Sequence, residues 1–523
     1  MRTSMKRLTG RTKVSLIIAS VMLLMFLNSC GTSEEIIGTG THTTEDVNVS
    51  AVSYDMELKL DTENDSLDEF VIMELKNNGS TEVDTVYLRF YPNGYVPYVK
   101  EGFSDENKGK NLSSEITSVA IAGTEKNLPI QYELDDTSVK VSLDGESIPA
   151  GGSLKLEVRA RTSLPEGRAR FGTTAWDEGK LYHLEFCYPY LEYNKDGWFL
   201  DPPRYSLLEN RNPMPADYNI TIEAPEEYLV AGPGKITRSG NKTTIAAEQL
   251  RDLALYASNC MGVDEFEVNG TSISNYYLKM EGEEEYREYT KQFITDAFEN
   301  LTEMVGDYKR NEFSLVEGTV NMEYSGIAEV NGRGFYEYDP SRFEIVYENT
   351  LHEVAHQWFF DNVGNYEYRE GWIDESFTQF LEEEIMCKET ESSRMIKEKY
   401  PEAIIGKAYY DERASKRELL EKDLEAVDHF PLADIDSNPL KTYMGMDVKG
   451  ELSPGYREYD FGPLFLSQAE EITGEEEFYK FVQDVYSTYG SKITESEDIL
   501  EIMKKHCSSE ELNELISYYF ESV

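Results

Sequence analysis

The sequence predicts an α+β protein with more than one domain, in which a β-rich first half precedes a mainly helical second half. Three observations support this fold class. The chain has 523 residues, which is longer than a domain with a single hydrophobic core usually is. The hydrophobic residues, 40% of the chain, are enough for sizeable cores. Apolar and polar residues alternate with period two from about residue 50 to 275. From about residue 282 onward, apolar residues recur at helical spacing instead.

The first half is expected to form a large antiparallel β-domain over residues 49–275. Segments such as YDMELKL, VYLRFYP and SLKLEVRAR alternate, and the turn clusters KNNGS, PAGGS and AGPG separate such segments. The second half, residues 276–523, begins with EEEYREYTKQFITDAFENLTEM, where Phe293, Leu301 and Met304 share one helical face. We expect short strands and then several helices in this half.

The first 48 residues are typical of a leader and linker rather than of a core. Residues 1–29 combine the basic start MRTSMKRLTGRTK with the apolar run VSLIIASVMLLMFL, which is shorter than the roughly 20 residues that span a bilayer. The run ends in LNSC, which resembles the bacterial lipobox, although Asn28 is a less usual residue at its position. Acylation would make Cys30 the mature N-terminus. Residues 30–48 are rich in small and acidic residues, which favours a flexible tether.

This leader predicts a protein that is lipid-anchored on the extracytoplasmic face of a bacterial cell membrane. The anchored protein would face either a periplasm or the cell exterior. An ordinary secretory signal peptide and an uncleaved anchor are the alternatives. Both of them also place the folded part outside the cytoplasmic membrane.

The formal net charge of −49 restricts the partners of this protein. Nucleic acid and anionic lipid headgroups are disfavoured, because their phosphates would be repelled. An acidic surface of this kind keeps an exposed protein soluble. The alternative interpretation is an electrostatic field that attracts cationic peptides.

The cysteines beyond Cys30 lie far apart in the sequence and show no CxxC spacing. They therefore match neither a disulfide framework nor a cysteine-ligated zinc site. We expect buried single thiols at Cys187, Cys260, Cys387 and Cys507. One disulfide between two of them is the alternative.

The stretch LHEVAHQWFF contains two of the six histidines in the chain. His352 and His356 lie four residues apart, so that on a helix their imidazoles project from one face and can bind one cation. The surrounding segment 339–364 has an apolar stripe at helical spacing and is predicted to be one helix, capped near Ser341 and ended at Gly364. Two hydrogen-bonded core histidines are the alternative interpretation.

A third metal ligand is predicted 19 residues after His356, where Glu375 lies in the segment GWIDESF. An HExxH motif followed by a glutamate at this distance matches the gluzincin pattern, which is far more specific than HExxH alone. Zinc in catalytic sites takes three protein ligands and keeps a fourth position open. The predicted ligands of one Zn²⁺ ion are therefore His352, His356 and Glu375.

Two further glutamates receive roles from their positions. Glu353 follows the first ligand directly and is not needed as a ligand itself. Because zinc lowers the pKa of water to about 7, Glu353 can act as general base and then give the proton to the leaving amine. Glu382 lies seven residues after Glu375, on the same helix face, and would orient a histidine. The alternative for Glu382 is a solvent-exposed carboxylate in the EEE run.

With these residues the sequence resembles the aminopeptidase N family of zinc metallopeptidases. VNMEYSG, residues 320–326, is similar to the Gly-x-Met-Glu-Asn motif of that family. It keeps Met322 and Glu323, whereas Val320 and Tyr324 stand in place of the usual glycine and asparagine. The resemblance implies that this motif binds substrate and that Glu323 binds the free α-amino group of a peptide. Such a contact would restrict cleavage to the terminal residue.

Two more stretches extend the resemblance. YDFGPLFL is similar to the Tyr-x-x-Gly stretch of the family, which implies that the hydroxyl of Tyr459 donates to the oxyanion of the reacting carbonyl. Tyr456 is a rival, because the register of this segment could shift. The interval from Glu375 to Tyr459 is longer than expected for the family and implies an insertion around 405–450. RDLALYAS, residues 251–258, resembles the segment that closes the N-terminal β-domain of the family.

The resemblance extends over about residues 50–523. It implies a saddle-like N-terminal β-domain followed by a thermolysin-like, mainly helical catalytic domain. The large C-terminal helical domain of longer members is expected to be missing, which would leave the active site more open. The implied function is a zinc aminopeptidase that acts on peptides with a free N-terminus. The alternatives are a zinc endopeptidase of the same fold and a non-catalytic surface lipoprotein that has kept the fold for binding.

Overall fold

The computed structural model of the chain describes the folded part and leaves several segments aside. The predicted signal peptide with Cys30, the helix start near Ser341 and the rival Tyr456 lie outside the described residues. No helix in the described part is long and apolar enough to cross a membrane. The described residues are 41–42, 47–96, 107, 110, 112–133, 136–167, 170–176, 178–195, 197–200, 214–332, 343–366, 370–424, 432 and 457–520.

Strands build the first half, and their burial follows the period-two pattern of the sequence. In the second strand, Tyr54, Met56, Leu58 and Leu60 are buried and the residues between them are more exposed. The strands of this half are β1 (Thr41–His42), β2 (Val49–Asp61), β3 (Ser66–Asn77), β4 (Thr85–Arg89), β5 (Ser114–Ile121), β6 (Ile130–Glu133), β7 (Ser138–Ser142), β8 (Ser153–Ser163), β9 (Phe171–Ala175), β10 (Lys180–Glu185), β11 (Tyr190–Leu191), β12 (Phe199–Leu200), β13 (Ala216–Glu223), β14 (Leu229–Ala231), β15 (Lys235–Ser239), β16 (Lys242–Leu250) and β17 (Ala254–Ser258).

The largest sheet has seven strands in the order β15-β16-β13-β2-β3-β8-β5. Its neighbours are antiparallel except for β13 and β2, which run parallel with Asp217 opposite Ser53. This pair departs from the antiparallel prediction because β13 returns to the sheet after a long excursion, whereas a hairpin would force antiparallel pairing. Two four-stranded sheets, β14-β17-β10-β9 and β11-β4-β7-β6, and the pair β1-β12 complete this half. One continuous apolar core joins its sheets.

The second half combines one five-stranded sheet with helices, so that the α+β prediction is confirmed. Its strands are β18 (Met261–Val268), β19 (Thr271–Leu278), β20 (Glu312–Glu317), β21 (Met322–Tyr324), β22 (Ile327–Val330), β23 (Val363–Asn365) and β24 (Lys492–Thr494). Its helices are α1 (Glu283–Met304), α2 (Phe343–Ala355), α3 (Trp372–Met386), α4 (Glu391–Lys399), α5 (Lys407–Leu424), α6 (Gly462–Thr473), α7 (Glu475–Tyr489), α8 (Ser496–His506) and α9 (Glu510–Phe520). The five-stranded sheet has the order β18-β19-β20-β22-β21, and β23 pairs with β24 in a separate two-stranded parallel sheet. The predicted boundary between residues 275 and 276 therefore lies inside β19.

Helix α2 carries the HExxH motif and packs against α1, α3 and β22. The apolar stripe predicted from the sequence faces this core. Its members are all fully buried: Phe343, Tyr347, Leu351, Val354 and Trp358.

The same helix ends earlier than the sequence predicts. Regular helix stops at Ala355, and His356 belongs to the last turn through an N–H that donates to the carbonyl one turn earlier at 3.3 Å. Phe360 has a φ of 133° and turns the chain, and its carbonyl accepts from the guanidinium of Arg251. The prediction that Gly364 ends the helix is wrong, since Gly364 lies in β23. A buried arginine from the first half therefore holds the turn that follows the helix.

The four cysteines of the described part are free thiols. Cys187 and Cys260 are buried, and Cys387 and Cys507 are partly buried. No disulfide joins these four residues, so the expectation of single thiols fits the structure.

Candidate metal centre

Three ligating atoms converge between helices α2 and α3. The Nε2 atoms of His352 and His356 lie 3.2 Å apart, and Oε2 of Glu375 lies 3.3 Å from the first and 3.4 Å from the second. Ligands about 2.0–2.1 Å from a tetrahedral zinc ion lie about 3.3–3.4 Å from one another. The triangle of donor atoms therefore has the size of one face of a zinc coordination tetrahedron.

The second nitrogen of each imidazole contacts an acceptor. His352 Nδ1 lies 3.2 Å from Oε2 of Glu382, and His356 Nδ1 lies 3.1 Å from the carbonyl oxygen of Phe359. Because these oxygens accept hydrogen bonds, each Nδ1 carries the proton and each Nε2 presents a lone pair. Two lone pairs and a carboxylate at such distances repel one another unless a cation lies between them. The residues present therefore fit a metal ion, and neutral imidazole with carboxylate is a usual zinc donor set.

The pKa values of the same groups show that the space between them favours positive charge. Burial by itself lowers the pKa of His352, but hydrogen bonds to Glu375 and Glu382 outweigh it and raise the pKa well above its ordinary value. Burial by itself raises the pKa of Glu375, but the imidazoles of His356 and His352 outweigh it and hold the pKa well below its usual range. A proton or a metal cation can supply the charge that this arrangement requires.

Spacing along α3 places its polar residues on one face. Glu375, Thr378 and Glu382 follow one another at intervals of three and four residues, which is the spacing of neighbours on a helix. Trp372 and Phe380 lie elsewhere on the helix surface and are fully buried in the core of the second half. Packing of these apolar residues fixes the helix and turns its polar face toward α2.

Glu353 lies on α2 between the two histidines and faces the same space. It is 5% exposed, and its Oε2 atom has no hydrogen-bond partner among the described residues. Burial raises the pKa of Glu353 to about 8, against the lowering influence of His352. One carboxylate oxygen of Glu353, one of Glu323 and a ring nitrogen of His356 lie within 4.8 Å of one another. A buried carboxylate oxygen with spare accepting capacity is suited to take a proton from water.

The segment predicted to bind substrate is divided between two surroundings. Glu323 lies on β21, is 7% exposed and belongs to the cluster beside Glu353. Met322 packs against the apolar core of the first half instead. Successive side chains of a strand point to opposite faces, which explains why the two neighbours contact different parts of the protein.

Tyr459 lies above the imidazole of His352. Their ring centroids are 5.9 Å apart at an interplanar angle of 27°, and Tyr459 is 37% exposed. It belongs to a π-helical turn, Arg457–Phe461, that precedes α6, and such turns are frequent at functional sites. Ser376 on α3 donates to the carbonyl oxygen of Glu458 at 2.9 Å, which holds the turn against the metal centre.

Two residues of the site were missed by the sequence analysis. Thr378 places its hydroxyl 3.2 Å from His356 Nδ1, and its position one turn after Glu375 was a usable signal. Tyr409 on α5 places its hydroxyl 3.3 Å from Oε1 of Glu382 and 3.1 Å from Oε1 of Glu348. Tyr409 lies in the segment predicted to be an insertion, and no local pattern connects it to the zinc ligands.

Comparisons with known proteins agree with this geometry. Residues 338–519 match the Peptidase family M1 domain. The M1 zinc metallopeptidase from Deinococcus radiodurans has a similar fold, with 14% sequence identity, a TM-score of 0.57, and coverage of 91% of this chain and 94% of that chain. A variant of that protein bound to a Tyr-Ser-Ala substrate gives 13% identity, a TM-score of 0.56, and coverage of 91% and 95%.

A longer protein shares the same arrangement of a β-rich and a helical half. Yeast LTA4 hydrolase in complex with bestatin gives a TM-score of 0.60 at 12% identity, with coverage of 96% of this chain and 72% of that chain. At sequence identities this low, the comparisons with solved structures show similarity of fold alone. Comparison of the sequence with curated proteins gives no match.

Proposed function

We propose that the protein is a zinc aminopeptidase that removes the N-terminal residue from peptides, and the match of residues 338–519 to the Peptidase family M1 domain supports this proposal. One observation carries this proposal. The carboxylates of Glu323 and Glu353 meet at His356 within 4.8 Å, beside the triangle of three zinc donors. A group for the peptide amine and a group for proton transfer thus lie at one metal centre.

The cofactor is one Zn²⁺ ion, held by His352, His356 and Glu375. When bound, zinc lowers the pKa of a water molecule to about 7 and polarises a carbonyl group. Glu353 accepts the proton of the attacking water and gives it to the nitrogen of the leaving amine. Its buried Oε2 atom is available for this transfer.

Glu323 determines which bond is cut. A buried carboxylate attracts the positively charged α-amino group of a peptide, and the resulting ion pair fixes the N-terminus close to the metal. Only the first peptide bond of the substrate then reaches the metal centre. Structurally similar M1 zinc metallopeptidases, one of them from Deinococcus radiodurans, have been crystallised with Tyr-Ser-Ala, L-tryptophan and L-arginine, which are ligands with a free α-amino group.

Tyr459 stabilises the charge that develops during the reaction. Its ring is stacked on the ligand His352, and its hydroxyl can donate to the carbonyl oxygen of the scissile bond as that oxygen becomes negative. Such a donor acts mainly in the transition state. It therefore contributes to the rate of turnover more than to substrate binding.

Blocking the substrate amine tests the proposal directly. We expect the zinc-loaded protein to hydrolyse fluorogenic aminoacyl amides and to leave their N-acetyl derivatives intact, since acetylation removes the charge that Glu323 binds. Equal cleavage of acetylated peptides would indicate an endopeptidase of the same fold. Bound zinc without turnover of any peptide would indicate a binding protein that has kept the site.

We also propose that the protein is lipid-anchored through Cys30 on the extracytoplasmic face of a bacterial cell membrane. The basic start, the short apolar run and the LNSC sequence support this placement. Metabolic labelling with a radioactive fatty acid is expected to label the wild type and not Cys30→Ala. Equal labelling of both would contradict the anchor.

A further inference from the structure

A second polar cluster is buried where the first half of the chain meets the strand that carries Glu323. His183 and Glu185 lie at the end of β10, and Glu329 lies on β22; their exposures are 0%, 1% and 0%. His183 Nδ1 is 3.3 Å from Oε2 of Glu329 and 4.0 Å from Oε1 of Glu185. Burying several charges costs free energy, and the proposed zinc chemistry does not use them.

Glu329 holds the loop that leads into Glu323. Its Oε1 atom accepts the backbone N–H of Thr319 at 2.5 Å and that of Val320 at 3.2 Å. A Cβ atom at Gly318 would lie 1.8 Å from the same oxygen, so a side chain there would displace the carboxylate from the loop. The loop therefore wraps around one carboxylate and passes directly into the strand with the substrate-binding glutamate.

The residue that follows Glu323 is attached to the same cluster. Tyr324 is fully buried, and its hydroxyl donates to Oε2 of Glu185 and accepts from Nε of Arg170 at 2.8 Å. Arg170 Nε also lies 3.0 Å from Oε2 of Glu185. Contacts with the buried polar cluster thus flank Glu323 on both sides, through Glu329 before it and through Glu185 after it.

We propose that Glu329 and His183 are positioning residues for Glu323, so that recognition of a free amino terminus depends on a charged pair linking the two halves of the chain. The inference rests on the proposed function, in which Glu323 binds the α-amino group. Backbone N–H groups bind an ionised carboxylate more strongly than a neutral acceptor. The charge of Glu329 therefore sets how firmly the loop is held, and His183 maintains that charge.

The electrostatics of the pair are consistent with an ionised carboxylate beside an imidazolium. Burial by itself lowers the pKa of His183, but Glu329 outweighs it and the pKa is raised. Burial by itself raises the pKa of Glu329, but His183 and the loop N–H groups outweigh it and the pKa is lowered. Each partner stabilises the charged form of the other.

A second metal ion is the competing interpretation, because His183, Glu185 and Glu329 offer three donor atoms within 4.8 Å. The guanidinium of Arg170 already supplies one positive charge next to Glu185. A proton on His183 supplies another, so the two carboxylates are neutralised without a metal. Two zinc ions per chain, with the second lost in His183→Gln, would overturn the positioning role.

Peptide binding without turnover tests the inference. In a Glu353→Gln background, in which turnover is strongly reduced, calorimetry measures the affinity for Leu-Gly-Gly and for N-acetyl-Leu-Gly-Gly. Glu329→Gln keeps the shape and an accepting oxygen but removes the charge. We expect about tenfold weaker binding of the free tripeptide and less than about twofold change for the acetylated one. Once Glu323→Gln is also present, Glu329→Gln should have no further effect, since it acts through Glu323.

The controls separate positioning from general loss of structure. Glu69→Gln is the matched control, because Glu69 on β3 is another buried glutamate of the first half, 3% exposed, and it should leave both affinities unchanged. Where Glu329→Gln does not fold, His183→Gln is expected to shift the affinity in the same direction. Equal weakening for both peptides, or an undiminished effect in the Glu323→Gln background, would overturn the inference.

The outcome also separates this inference from the proposed function. A parent protein that binds free and acetylated tripeptides equally would refute amine recognition by Glu323, and the positioning role with it. A parent that prefers the free tripeptide while Glu329→Gln and His183→Gln change nothing would refute the positioning role alone.

Discussion

The carboxylate of Glu382 lies 3.2 Å from Nδ1 of His352, and this contact fixes which ring nitrogen faces Glu375. Helix α3 therefore carries one predicted zinc ligand and also orients another predicted ligand on α2. The two functions come from residues seven positions apart on one helix face. Two residues of α3 thus contact the two ring nitrogens of His352, Glu382 at Nδ1 and Glu375 at Nε2.

Replacing Glu382 is expected to weaken zinc binding. Glu382→Gln removes the charged acceptor of His352 Nδ1–H, and loss of such a contact lowers metal affinity about 10- to 100-fold. Competition with a chromophoric chelator measures the affinity. Glu418→Gln, on the exposed side of α5, should leave it unchanged. An affinity equal to wild type in Glu382→Gln would show that the contact does not support the metal.

Replacing Glu353 is expected to reduce turnover strongly without removing zinc. Glu353→Gln keeps the size of the side chain but cannot accept a proton, and general-base catalysis contributes about 10²- to 10⁴-fold. The value of kcat on an aminoacyl amide should fall by a factor in this range, while zinc content stays at the wild-type level. A kcat within about threefold of wild type would exclude Glu353 as the base, since this is far below the contribution of a general base.

Replacing Tyr459 is expected to reduce kcat more than it changes KM. Tyr459→Phe keeps the ring that stacks on His352 but removes the hydroxyl donor, and one oxyanion donor contributes about 10²- to 10³-fold. Tyr410→Phe is the matched control, because Tyr410 is 57% exposed on α5. A rise in KM at constant kcat would assign Tyr459 to substrate binding instead.

The His183–Glu329 pair makes a prediction about stability and pH. The pKa of His183 is raised in the folded protein above the ordinary value of 6.5. Its contribution to the free energy of unfolding is therefore complete below pH 6.5 and is lost as the pH rises through the raised pKa. The pKa of Glu329 is lowered below 4.5. Its contribution to the free energy of unfolding is therefore complete above pH 4.5 and is lost as the pH falls through the lowered pKa.

Urea denaturation of the zinc-saturated protein measures this contribution. The difference in the free energy of unfolding between wild type and His183→Gln should be larger at about pH 6 than at about pH 9. A difference that stays constant or grows with pH would show that His183 is not protonated beside Glu329.

The parts of the site that could be predicted from the sequence are those with local geometry. His352, Glu353 and His356 lie within about one helical turn, and Glu375 lies in the first turn of α3. Because seven residues make about two helical turns, the interval alone predicts that Glu382 shares a helix face with Glu375. On a helix, the number of residues between two positions determines whether their side chains lie on the same face.

The parts that could not be predicted depend on contacts between distant segments. His183 and Glu329 come from strands of different sheets, and no periodicity brings them together. Tyr409 reaches Glu382 from a segment that the sequence analysis interpreted as an insertion. Helix α2 ends at Ala355, and the chain then turns at Phe360, where it meets Arg251 from the first half; a local helix signal does not contain that contact.

Zinc stoichiometry with ligand variants tests the metal centre most directly. Elemental analysis and X-ray absorption of the purified protein should give one zinc ion per chain, bound by two imidazole nitrogens and carboxylate oxygen. The signal should disappear in His356→Ala and persist in His506→Ala, a histidine outside the site. Full zinc occupancy in His356→Ala, or a zinc-free wild type that does not bind added zinc, would contradict the proposed centre.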